Sequence, residues 1–334
     1  MGRYLARRLL QFIPVLIGTF FLVHYLMVLG VQFNGDPVRA IFGARQPPES
    51  VIAAMQQQFS LDDPCLQQPG NPCVSMFVER IGNYLHGDFG TNFRLQPVTD
   101  LIGVSWDVTL RLTIIAVIFE AVLGIFVGVL AGLRKDRFVD NTVRMSTVLL
   151  VAVPTFVLGV LVQIGAGVYL GNWLEDQAWA PEWTSEVFST SYNTDYEWAS
   201  LIVPGMVLAA FSLASIARLT RTSIIENLRA DYVKTAKAKG LRNRRVVGVH
   251  TLRNSLIPVI TYIGTDFGYL INGALVTEGI FNIPGIGGLT FRSALQSETS
   301  VVVALVTILT LVFLAANLLV DILYAALDPR IRYD

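Results

Sequence analysis

Residues Ala230–Pro258 read ADYVKTAKAKGLRNRRVVGVHTLRNSLIP and form the most basic part of the chain. On either side lie apolar stretches of about membrane-spanning length, Leu201–Leu219 and Leu256–Val276. Within the basic stretch, Asp231 is expected as a helix N-cap, its carboxylate accepting from the free N–H groups of the first turn. Gly240 is the expected stop, because only glycine enters the left-handed position after a helix without a Cβ penalty. Lys237 and Lys239 then fall in the last turn, where positive charge suits the helix dipole. The spacing predicts a short helix over Tyr232–Lys239, about two turns long. Thr235, Ala236, Ala238 and Gly240 are small and let another surface come close. A loop that had only to be soluble needs neither caps nor small residues, so the stretch reads as a docking element.

The rest of the chain repeats the apolar pattern. Of 334 residues, 53% are hydrophobic and only 15% charged, with a mean hydropathy of +0.55. A globular domain carries about 25% charge, so the class is integral membrane. Leu9–Leu29 is a first span, too long for a signal-peptide core and followed by no cleavage site. Further spans are expected at Leu110–Leu133, Met145–Leu170 and Val302–Ala325, making six in all. Gly124, Gly128 and Gly132 recur on one face of the second span, a small-residue stripe for helix packing. Residues 31–107 are polar, with helices expected at Glu49–Phe59 and Phe77–Leu85, and read as a small external subdomain. Its Gly87-Asp88-Phe89-Gly90-Thr91 run precedes no strand–helix unit and reads as a structural turn rather than a phosphate cradle. The organisation is thus 1–30 first span, 31–107 external subdomain, 108–328 core with the loop 220–255, and 329–334 tail.

Charge sorts the loops. Nineteen of the 25 Lys and Arg residues fall at the N-terminus, in 133–144, in 218–255 and in the tail. Residues 171–200 hold none, but six acids. By the positive-inside rule both termini and the docking element face the cytoplasm. Arg242, Arg244 and Arg245 suit either anionic lipid headgroups or acidic groups on a protein partner, and the lack of interleaved aromatics speaks against nucleic acid.

Chemistry is sparse. The chain contains no G-x-x-x-x-G-K-[ST] loop for ATP, no catalytic triad and no metal-ligand spacing, so it is expected to be neither an enzyme nor the holder of a cofactor. The lone His24 reads as an interfacial or packed side chain. Charged or strongly polar groups inside spans cost roughly 2.5–3.5 kcal/mol at mid-helix and must face protein or water. Asp266 and Asn272 in the fifth span, with Glu120 in the second, are the candidates for lining a translocation pathway, interhelical hydrogen bonding being the alternative. Asp321 reads as an interfacial partner. Cys65 and Cys73, in a proline-rich turn of an external segment, favour a disulfide.

The run Asp231-Tyr232-Val233-Lys234-Thr235-Ala236-Lys237-Ala238-Lys239-Gly240-Leu241, followed by Leu252-Arg253-Asn254-Ser255-Leu256-Ile257-Pro258, resembles the coupling loop of ABC-transporter permeases, in the oligopeptide, dipeptide and nickel branch. Lys234 and Thr235 replace the Glu and first Ala of the general motif, and Arg253 stands at its late Pro position. The resemblance runs from Arg3 to the closing Leu327–Arg332. It implies an inner-membrane permease subunit of a peptide importer, with Asp231, Tyr232, Thr235, Ala236, Lys239, Gly240 and Leu241 contacting an ATPase. It also implies a second permease, two cytoplasmic ATPase domains holding ATP and Mg, and an external substrate-binding protein. The alternatives are a nickel-importing permease of the same family, an ion- or proton-coupled carrier using Glu120 or Asp266, or a membrane scaffold.

Overall fold

The computed structural model describes residues 2–42, 47–177 and 179–327. Arg45 and the tail 329–334, with Arg330 and Arg332, lie outside them, as do the side chains of Arg3, Arg7, Arg8 and Asp321. The described residues are helical throughout apart from turns and one isolated bridge, Thr91 to Pro97. Among the described residues six helices are long and apolar enough to cross a membrane: Leu10–Phe33, Val98–Leu133, Thr155–Glu175, Ala199–Leu228, Ile257–Ile280 and Thr299–Val320. The protein is therefore an all-α integral membrane chain.

Three spans differ from the sequence expectation, the fourth by running on to Leu228 rather than Leu219. The second helix begins at Val98 rather than Leu110. The third was expected as one run from Met145, but it is broken: a helix over Phe138–Ala152 ends, Val153 and Pro154 are extended, and a new helix starts at Thr155. Proline disfavours helical backbone at the residue before it and supplies no N–H to the ladder, which favours a break at Val153 within an otherwise apolar run. Within the third span, Gln163–Gly171 winds as a π-helix. A further helix, Ile286–Leu295, precedes the sixth span and was not anticipated.

The chain divides into two compact units, residues 1–108, 284–318 and 325–334 in one, and 109–283 with 319–324 in the other. In the first, Phe20 and Met27 of the first span bury against Phe77 and Val303. Phe77 belongs to the helix Val74–Leu85, three residues longer at its start than expected. His24 is fully buried beside it. Its Nε2 donates toward the carbonyls of Pro72 and Cys73 at 3.2 and 3.3 Å, and its Nδ1 accepts from Arg80 at 3.1 Å. Gln32 reaches the same turn, donating to the Asn71 carbonyl at 3.0 Å and accepting from the Gly70 N–H at 2.9 Å. The turn is closed by a Cys65–Cys73 disulfide. Glu298, also buried, caps the far end of this unit, accepting from the Phe93 N–H at 3.1 Å and the Ser293 hydroxyl at 3.0 Å.

In the second unit the fourth span is the hub, its residues mostly buried between the helix Phe138–Ala152 and the second, third and fifth spans. The glycine stripe of the second span explains the closest of these contacts. A Cβ at Gly128 would sit 2.6 Å from the backbone oxygen of Ala217, and Cβ atoms at Gly124 and Gly132 would sit 2.8 Å from Ile216 and Ile224. The backbone contact at Gly128 leaves a side chain no room to yield.

Candidate functional site

The loop between the fourth and fifth spans folds as a helix over Asp231–Ala238. Asp231 is not its N-cap. Ala230 holds that place in extended backbone with no side-chain cap, and Asp231 is the first helical residue. The shift arises because the turn closing the fourth span ends one residue earlier, on the Ala230 N–H to Asn227 carbonyl bond of 3.1 Å. The Asp231 carboxylate instead accepts from Lys234 Nζ at 2.8 Å and still faces the positive end of the dipole. That ammonium holds its carboxyl below the usual carboxylate range.

The other end is closed as glycine allows. Gly240 has φ +75°, its N–H donates to the Lys237 carbonyl at 2.9 Å, and the Leu241 N–H reaches the Ala236 carbonyl at 3.3 Å. This pair of bonds is the Schellman closure, with the hydrophobic contact that accompanies it: Leu241 packs on Val233, Ala236 and Val246. The helix thus has an underside, with Val233 fully buried and Ala236 nearly so. Ala236, expected at the face offered to a partner, belongs to that underside. At helical spacing it lies three residues from Val233 and shares its face. The outer face carries Tyr232, Thr235, Ala238 and Lys239, all exposed. Arg242, Arg244 and Arg245 follow, also exposed. A π-helical stretch, Val246–Thr251, then returns the chain to the fourth span, where the Ser255 hydroxyl reaches the Ser223 carbonyl at 3.2 Å.

A second tie was not read from sequence. Asp140 is fully buried and accepts from both Arg221 Nε and Arg221 Nη2, the latter at 2.7 Å, and from the Asp136 N–H at 2.8 Å. Hydrogen bonds from the Arg221 guanidinium hold the carboxyl down at about 2. This clamps the helix Phe138–Ala152 to the end of the fourth span from which the helix Asp231–Ala238 hangs. An acid amid Arg134, Lys135, Arg137 and Arg144 was the available signal, but its partner lies 81 residues away.

Of the intramembrane polar residues, the structure brings two together and leaves the third apart. Glu120 is fully buried and Asp266 nearly so, with Ser212 beside both. These groups are near enough to interact electrostatically, but neither Glu120 oxygen nor Asp266 Oδ2 has a formed hydrogen bond. Asp266 and Ser212 line a cavity of about 460 Å³ with Phe211, Tyr262, Thr265 and Tyr269. Asn272 turns its amide back to the Gly268 carbonyl of its own helix at 3.2 Å. Glu278, which the sequence did not single out, is buried and accepts from the Thr109 hydroxyl at 2.7 Å.

Known proteins resemble the chain over its whole length. The family model described as binding-protein-dependent transport system inner membrane component matches residues 124–333. That range holds the helix Asp231–Ala238, Arg221 and Asp266. Over 335 aligned residues, covering all of both chains, the sequence is 36% identical to the glutathione transport system permease protein GsiC of Escherichia coli (strain K12). It is 36% identical over 334 residues to the protein of that name from Salmonella choleraesuis (strain SC-B67), again covering both chains. The corresponding Shigella flexneri serotype 5b protein is 35% identical over 335 residues.

Proposed function

The chain belongs to the binding-protein-dependent transport inner-membrane component family, as a multi-pass permease subunit of an ABC importer, and from that premise we propose that its cargo is a peptide. The relatives above are glutathione transport permeases, and glutathione is a small peptide. A protein of this family is a transport permease, not an enzyme. The carrier reading, in which the chain works alone, gives way to that membership. A nickel complex remains the alternative cargo within the branch.

The energy then comes from two cytoplasmic ATPase domains, with ATP and Mg bound there, acting through the helix Asp231–Ala238. A second permease completes the pathway, and an external binding protein delivers the peptide. Both termini and the helix face the cytoplasm, where the basic loops lie. One observation carries this reading. The helix is fixed below by Val233, Ala236 and Leu241 and closed at Gly240, while Tyr232, Thr235, Ala238 and Lys239 are exposed above. A short stiff element with a free face suits rigid-body transmission of ATPase closure. Arg242, Arg244 and Arg245 extend that face toward acidic groups or lipid.

Affinity isolation from native membranes tests the assembly. Nucleotide-binding subunits and a second permease should accompany the chain, and isolation of a chain that transports by itself would overturn it.

A further inference from the structure

The cavity in the second unit is chemically one-sided. Its wall, built from the third, fourth and fifth spans, contains one carboxyl, Asp266, and no Lys, Arg or His. Ser212, Thr265 and the phenols of Tyr262 and Tyr269 supply its polar groups, and Phe211 adds a third aromatic ring. Asp266 is about nine-tenths buried, and its Oδ2 has no hydrogen-bond partner. Behind it lies Glu120, with both oxygens unpartnered. The groups that act on the two carboxyls are each other and Ser212, with no cation among them, so a positive charge at this wall has to come from a ligand.

We infer that this cavity is a subsite for a protonated amine, the α-ammonium group of a peptide in transit, with Asp266 as its acceptor. An ammonium brings three N–H donors and the positive charge that the wall lacks. Its charge is favoured by the carboxyl groups and by the faces of the surrounding aromatic rings. The volume lies in the range of small-ligand pockets and takes one end of a short peptide rather than a folded chain. A bare nickel ion fits less well, since the wall offers one carboxyl and neither His nor Cys. The inference deepens the peptide reading and rests on it.

The test uses the assembled importer with its binding protein in proteoliposomes, supplied with trialanine or N-acetyl-trialanine. In D266N the ratio of trialanine to N-acetyl-trialanine uptake should fall by about tenfold, the loss expected for one charged hydrogen bond. D266E, which keeps the charge, should recover part of it. An unchanged ratio, whether both rates fall or neither does, overturns the subsite. Thr265→Cys gives a reading that does not need D266N to fold. A cationic methanethiosulfonate should label it faster than a neutral one, relative to a free thiol in water, and trialanine should slow the reaction. Equal relative rates, or protection by sodium chloride but not by trialanine, would overturn the ammonium assignment. ATP-independent uptake by the wild type would instead overturn the importer reading, while the uptake ratio would still report on Asp266.

Discussion

Asp140 shows what a single side chain contributes here. With an ordinary carboxyl near 3.8, it is held at about 2, first by Arg221, then by the Asp136 N–H, with burial opposing. A carboxyl whose pKa falls on folding contributes stability that is complete above its unfolded value and is lost as pH drops through its folded value. Between about pH 8 and pH 5 the clamp is therefore fully formed. Asp140→Asn leaves the guanidinium without its counter-charge and should cost on the order of 2–4 kcal/mol. The purified protein should unfold at lower temperature, with a deficit constant over that range that narrows only below about pH 4. A deficit that grew on acidification would show that the pair is not the source. Nothing in the sequence marked Asp140 and Arg221 as partners, since each reads singly as a loop or helix-end charge.

Among the elements, the helix Asp231–Ala238 is stopped by a single residue. Its closure depends on Gly240 at φ +75°, where no neighbouring atom lies within 4 Å of an added Cβ. A substitution there is penalised by backbone conformation alone. Gly240→Val should cost about 1–2 kcal/mol locally, loosen Leu241 from Val233 and Ala236, and lower uptake while membrane abundance stays near normal. Wild-type uptake by this variant would mean that the closure does not matter to transport. The helix itself was legible to within one residue, because a glycine stop and a lysine-rich last turn are local signals. The underside was not. Ala236 reads as one small residue among several, and only the return of the chain at Val246 shows which side is covered. The six spans were legible from length and apolarity, but a hydropathy run passes straight over Pro154 and hid the break. The helix Ile286–Leu295 went unread for a related reason, having too short an apolar run for a span.

For the whole molecule, the central claim is that this permease is driven through the outer face of one short helix. Of the candidate pathway residues, Glu120 and Asp266 were read as polar positions in two spans, but their meeting beside Ser212 depends on how the spans pack. The drive can be tested without disturbing that interior. Thr235 is exposed, its hydroxyl donating only to the Asp231 carbonyl of its own helix at 3.0 Å, so a larger side chain there leaves the underside intact. Ala236→Trp would not serve, since it overfills the chain's own packing. The most direct measurement is ATP hydrolysis by the reconstituted Thr235→Trp importer, with and without peptide-loaded binding protein. The account predicts a variant that inserts normally yet loses the stimulation seen in the wild type, and peptide uptake with it. Wild-type stimulation and uptake in this variant, with the ATPase still bound, would contradict it.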